Sequence, residues 1–168
     1  MAIHPSAIVE AGARVDPSCQ IGPFAWIGPE VQMGPGCTVA PHGIVTGRTT
    51  LGARNLVFSN AVVGGIPQDL KYRGEPTSTV IGDDNTFREF VTINAGTAQD
   101  RAVTRIGNGC LFMASSHVGH DCIIGDGAII ANSVAWPGTW SWRTTSTSAG
   151  SRRPTSSPGW AGWPSSAA

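Results

Sequence analysis

Residues 3–63 read IHPSAIVEAGARVDPSCQIGPFAWIGPEVQMGPGCTVAPHGIVTGRTTLGARNLVFSNAVV. Every sixth position is aliphatic, from Ile3 through Val9, Val15, Ile21, Ile27, Met33, Val39, Val45, Leu51 and Val57 to Val63, with no polar exception. A helix presents the same face every 3.6 residues and a half-buried strand every 2, so neither accounts for a sustained period of six. Six-residue units stacked three to a turn do, and a fixed short repeat is the mark of a solenoid. The residue after the beat is often small, as at Gly22, Gly28, Gly34, Ala40, Gly52 and Gly64. A bulky side chain there would obstruct a tight turn.

The pattern resembles the hexapeptide repeat of the left-handed parallel β-helix, an all-β fold. The resemblance implies a triangular prism whose three faces are short parallel strands, with the beat residues pointing into its core. Stacking then buries both the aliphatics and the strand hydrogen bonds, so no single repeat is stable alone. The same beat accounts for the cysteines. Cys19, Cys37, Cys110 and Cys122 each stand two residues before a beat position, where Ala7, Ala13, Ala25, Ala61 and Ala128 stand elsewhere. They read as small space-filling residues, with no C-x-x-C pair to suggest metal or redox work. No metal or cofactor is expected. With no signal peptide and no apolar run long enough to span a membrane, the chain is expected to be cytoplasmic.

A net charge of zero and a charged fraction of 13% over 168 residues predict one globular unit with no electrostatic bias toward nucleic acid or membrane. Chemistry is to be sought where the beat breaks, because an insertion in a solenoid must loop out from a corner. The first break runs from Gly65 to Thr79, GIPQDLKYRGEPTST, before Ile81, Phe87 and Ile93 resume the count. The second, from Asn94 to Arg105, precedes a new phase at Ile106, Phe112, Val118, Ile124 and Ile130.

QDLKYRGEPT, then IGDDNTFREFVTINAGT, then SSHVGHDCIIG, in that order, resemble the UDP-N-acetylglucosamine O-acyltransferase family of lipid A biosynthesis. The resemblance covers Met1 to Ala135. It implies transfer of a 3-hydroxyacyl group from acyl carrier protein to the 3-hydroxyl of UDP-N-acetylglucosamine, the first step of lipid A biosynthesis, by a homotrimer with active sites between subunits. Such a transfer needs a base that is substantially neutral near pH 7, for which imidazole is suited. The resemblance makes His120 that base, with Asp121 supporting its orientation or charge. Adjacent side chains on a strand point to opposite faces, so their contact requires turn geometry.

In the first insertion, Asp69 is the candidate for hydrogen bonds to the glucosamine hydroxyls, with Gln68 and Lys71 for neighbouring contacts to sugar or acyl carrier. His117 is assigned contact with substrate phosphate or sugar, or else packing in the intersubunit cleft; both histidines are expected near the folded-back loop. His4 and His42 read as surface residues, and Arg88 with Glu89 as a structural ion pair. Asn94 departs from the histidine that many relatives place in a TIHRGT-like segment.

After Ala135 the chain changes character. Residues 136–168 contain no Ile, Leu, Val, Met or Phe and no Asp or Glu, yet carry five of the six tryptophans. No further coil is expected from them, and a tail is predicted that is disordered and not native to the fold. Disorder normally avoids tryptophan, which favours a shifted reading frame. Read one base earlier, residues 136–150 can become LAGHVVVEDYVNVGG, with aliphatics at Trp136, Trp142 and Ser148 on the beat. Gly138 survives in both frames, where the resemblance places the backbone amide that donates to the oxyanion. The expected organisation is therefore an incomplete acyltransferase domain, 1–135, and a frameshift-derived tail, 136–168, with weak or absent activity.

The rival readings are a non-catalytic truncated solenoid, the N-acyltransferase acting later in the same pathway, and a γ-type carbonic anhydrase. The last needs three histidines converging on zinc, and only His117 and His120 are well placed.

Overall fold

The computed structural model describes residues 2–142. Three seven-stranded parallel sheets form the faces of a prism, and each strand pairs with strands one full turn away. The first face stacks Ala2–Ile3, Gln20–Ile21, Thr38–Val39, Leu56–Val57, Thr86–Phe87, Leu111–Phe112 and Ile129–Ile130. The second stacks Ile8–Val9, Trp26–Ile27, Ile44–Val45, Val62–Gly65, Thr92–Asn94, His117–Val118 and Ala135–Trp136. The third stacks Arg14–Val15, Gln32–Met33, Arg48–Leu51, Ser78–Ile81, Val103–Ile106, Ile123–Ile124 and Ser141–Trp142. The fold is the left-handed parallel β-helix.

The six-residue beat is the interior. From Ile21 to Ile130 every beat residue is at most 4% exposed. Fully burying each such side chain contributes roughly 1.5–3 kcal/mol. Phe87 and Phe112, the largest fully buried side chains among the described residues, form a stacked pair with ring centroids 5.0 Å apart. The four cysteines are free and buried in the core, and burial pushes each thiol up from its ordinary range. Asn55 and Asn85 occupy the same column as Cys19, Cys37 and Cys110. Asn55 Nδ2 donates to the Gly82 carbonyl at 2.8 Å, and Asn85 Oδ1 accepts the Cys110 amide at 2.8 Å, so this buried polar ladder is paired from coil to coil.

The insertions are shorter than the beat alone implies. Gly65, Asn94, Ser78–Thr79 and Val103–Arg105 belong to strands, leaving 66–77 and 95–102 as the segments that loop out. The first leaves the prism at a register shift between Val63 and Gly65. A side chain on Gly64, whose φ is +84°, would meet the Thr46 carbonyl and Thr49 Oγ1.

The coil stack also passes Ala135, against expectation. Ala135–Trp136 pairs with His117–Val118, and Ser141–Trp142 with Ile123–Ile124. Trp136 packs against the hydrophobic core as a partly buried cover. Strand pairing is made by the backbone and depends little on side-chain type, so tryptophan on the beat suffices to prolong a parallel ladder already templated by the coil before it. The disordered tail expected over residues 143–168 lies outside the described residues.

Candidate active site

Among the described residues, one edge of the prism, where the chain passes from the second face to the third, carries both insertions. Insertion 66–77 leaves from Val62–Gly65, insertion 95–102 from Thr92–Asn94, the His120–Asp121 turn from His117–Val118, and the Gly138–Thr139 turn from Ala135–Trp136. These four strands are consecutive neighbours in one sheet, so the four segments stack in that order. At roughly 4.8 Å per strand, the first insertion starts about 10 Å along the axis from the histidine turn.

His120 and Asp121 are the two residues of their turn. Asp121 takes a left-handed conformation, φ +58°, which aspartate tolerates better than most residues. That turn solves the alternation problem: His120 Nδ1 lies 2.9 Å from Asp121 Oδ2. Asp121 is fully buried, and the His120 side chain is 21% exposed. Burial pushes the Asp121 carboxyl up, but hydrogen bonds from Thr97, His120 and Arg101 outweigh it and hold the group below its ordinary value. An ionised carboxylate can only accept, so Nδ1 carries the hydrogen and the Nε2 lone pair is left to act as a base.

Gly138 sits one coil further on, against the ring. A Cβ built on it would fall on the His120 imidazole, so glycine is the residue that lets the ring lie there. The Thr139 amide donates to the His120 carbonyl at 2.8 Å, while the Gly138 amide donates to none of the described residues.

His117 lies on the second face, its Nδ1 2.7 Å from Thr92 Oγ1, and burial pushes its pKa down toward the neutral form. Gln68 and Lys71 are exposed and Asp69 is half-buried. Asp69 Oδ1 accepts the Lys71 amide at 2.9 Å and its carbonyl accepts the Tyr72 amide at 3.1 Å, closing a tight turn. The structure therefore brings His120, Asp121 and Gly138 together, whereas Gln68, Asp69 and Lys71 make no described hydrogen bond to either histidine.

The first insertion also lies near the coils that precede it. Between it and the coils before it opens a cleft of about 210 Å³ lined by Glu30, Thr46, Arg48, Tyr72, Glu75 and Thr77 among others. What lies between it and the histidine turn is the second insertion, because that loop leaves from the intervening strand. Arg88 and Glu89 form the expected exposed ion pair, at 3.0 Å.

Three contacts had no signal in the residues themselves. Asn94 donates through its side-chain Nδ2 to the Ile66 carbonyl at 2.6 Å and so tethers the root of the first insertion. Gln99 lies beside Glu75 across the two insertions and, after the backbone hydrogen bonds there, helps hold that carboxyl below its ordinary range. Thr97 donates to Asp121 through both its amide, at 2.9 Å, and its hydroxyl, at 2.6 Å. The break in the beat marked the segment containing Gln99 and Thr97, but nothing local pointed to their partners.

Comparison with known proteins bears on this arrangement. Acyl-[acyl-carrier-protein]--UDP-N-acetylglucosamine O-acyltransferase from Anaeromyxobacter sp. strain Fw109-5 is 70% identical over 135 residues, 80% of this chain and 52% of the relative. The protein of the same name from Anaeromyxobacter sp. strain K is 75% identical over 138 residues, 82% and 54% of the two chains. Over about four-fifths of its length the chain is similar to UDP-N-acetylglucosamine O-acyltransferases.

A family profile described as bacterial transferase hexapeptide (six repeats) matches residues 104–135, the coils that carry His117 to Asp121. Among solved structures, the family member from Moraxella catarrhalis superposes with a TM-score of 0.81 at 43% identity, covering 82% of this chain and 54% of that one. The one from Acinetobacter baumannii gives 0.82 at 42%, covering 84% and 55%. The chain spans about half the length of the curated family members it matches. Among the described residues no helix is long and apolar enough to cross a membrane.

Proposed function

We propose that this coil stack is the part of an O-acyltransferase that holds the catalytic base, acting with UDP-N-acetylglucosamine and a 3-hydroxyacyl group on acyl carrier protein, the first step of lipid A biosynthesis. The observation that carries this reading is the His120 imidazole, its Nδ1 bound to a buried carboxylate and its ring lying on Gly138. His120 Nε2 takes the proton of the sugar 3-hydroxyl as that oxygen attacks the thioester carbonyl carbon. The Gly138 amide donates to the oxyanion, and collapse of the tetrahedral intermediate expels the carrier thiolate, which takes the proton back from the imidazolium. Asp121 keeps the correct tautomer and stabilises that imidazolium.

Gln68, Asp69 and Lys71, two coils before the base, would hold the sugar end of the acceptor. His117, kept neutral by burial, would serve as a hydrogen-bonding contact to substrate. A cytoplasmic homotrimer with sites between neighbours belongs to the same reading. So does the division into an acyltransferase part, 1–135, and a frame-shifted part, 136–168, with the weak or absent activity that would follow.

The test compares this chain with a version in which one base is restored near codon 135, assayed for acyl transfer from 3-hydroxyacyl carrier protein. Activity that appears on repair and is lost in His120→Ala is the expected result. A repaired protein that assembles but transfers nothing overturns the reading in favour of a non-catalytic solenoid. Zinc bound stoichiometrically to the purified protein would favour the carbonic anhydrase alternative.

A further inference from the structure

We infer that the second insertion is a neutral clamp on Asp121, with Thr97 as the positioning residue that keeps this carboxylate ionised and aimed at His120; this rests on His120 being the base. Oδ2 of Asp121 accepts three donors: the Thr97 amide, the Thr97 hydroxyl and His120 Nδ1–H. Oδ1 accepts the Arg101 amide at 3.1 Å. Thr97 is 1% exposed and Asp121 fully buried, so water does not substitute for these donors.

The insertion is built to close on the carboxylate. Amides of Asp100 and Ala102 both donate to the Thr97 carbonyl, at 3.2 and 2.9 Å, curling the loop into a turn. A Cβ on Gly96 would come within 2.7 Å of Asp121 Oδ1, so the chain passes too close there for any other residue.

The charge arrangement gives the clamp its meaning. The Arg101 guanidinium goes to the Asp121 backbone carbonyl at 2.8 Å and to Asp100 at 3.4 Å, not to the Asp121 carboxylate. The other titratable neighbour is the Cys122 thiol, which burial and the Asp121 charge keep protonated. Apart from His120, the carboxylate is thus stabilised by amide and hydroxyl dipoles and by no described lysine or arginine. A cation on it would cancel the negative charge that favours the imidazolium; dipoles leave that charge available. Because Thr97 acts through Asp121, its loss should change the protonation behaviour of the pair more than the fold.

The test is a pH titration of the full chain by carbon and nitrogen NMR, following the Asp121 carboxyl carbon and the His120 imidazole, with Asp121→Asn and His120→Gln for assignment. Thr97→Val and Thr97→Ala should each raise the Asp121 midpoint by about one pH unit, while Thr97→Ser, which keeps the hydroxyl, stays near wild type. If the variants unfold in acid, the His120 tautomer at pH 7.5 decides. The Nδ1–H form should dominate in wild type and Thr97→Ser and give way to a mixture in Thr97→Ala. A folded Thr97→Ala with an unmoved midpoint and tautomer, or a Thr97→Ser that shifts as far as Thr97→Ala, overturns the inference. Absence of acyl transfer would sink the proposed function and leave this titration standing.

Discussion

Two edges of the prism use the same backbone turn to opposite ends. Where the first face gives way to the second, Phe24, His42, Asn60, Phe90, Ser115 and Ser133 occupy equivalent corners with φ between 58° and 61°. Among the described residues no insertion interrupts this edge. Phe24 and Phe90 are 62% and 60% exposed, and His42 stacks on Phe24 at 5.2 Å, as a surface histidine does. Where the second face gives way to the third, Asp121 has the same φ of 58° but is fully buried. Its corner holds an imidazole on one side and an inserted loop on the other. A left-handed turn of a non-glycine residue costs about 1–2 kcal/mol wherever it occurs. The strain is therefore a property of the repeat, and what distinguishes the two edges is what closes over the turn.

The strongest challenge to that contrast is removal of the base. In a catalytically competent form, His120→Ala should lower acyl transfer by about 10²–10⁴-fold, with unchanged far-ultraviolet circular dichroism; a loss under tenfold would move the chemistry elsewhere. Next comes Gly138→Ala. Its methyl group displaces the imidazole, so transfer should fall by about tenfold or more, seen also as a changed His120 ring environment by NMR, whereas His42→Ala at the quiet edge should leave transfer unchanged.

A third effect is on stability against pH. Burial lowers the folded pKa of His117 below its unfolded value of about 6.5. Below that value the unfolded chain takes up the proton more readily, so stability is full above about pH 6.5 and declines as pH falls toward the folded pKa. Thermal melts between pH 5 and 8 should show this decline, and His117→Gln should remove it. Asp121, also depressed, adds a loss of the same sign that begins only below about pH 4, so the two are separable.

The smallest effect belongs to the quiet edge. Phe90→Asn places a residue at ease with positive φ on an exposed corner, and should raise unfolding free energy by no more than about 1 kcal/mol. Denaturant titration would check it. A large loss instead would mean that this edge is covered by a partner.

Much of the fold was legible because a solenoid writes its interior at fixed intervals. Ile21, Phe87 and Ile130 are core for the same reason, each on the beat, and the cysteine column followed from the same count. The stack past Ala135 was missed because tryptophan is a poor solenoid residue by composition, although a templated backbone ladder accepts it at Trp136. At the site, His120 and Asp121 were legible as neighbours in sequence, and Gly138 as a place in the repeat. Thr97 was not, nor the Asn94 tether on Ile66.

What the sequence by itself determined is which residues face inward, since a six-residue period fixes side-chain direction locally and needs no knowledge of distant partners. What the tertiary structure alone decided is which corners lie above one another. Regular coils align residues 18 apart, but the first insertion stretches this to 30 and the second to 25. Thr97 reaches Asp121, 24 positions away, because the loop between their coils absorbs those extra residues and curls back. That contact depends on stacked register and loop path together, and neither is encoded within a single repeat.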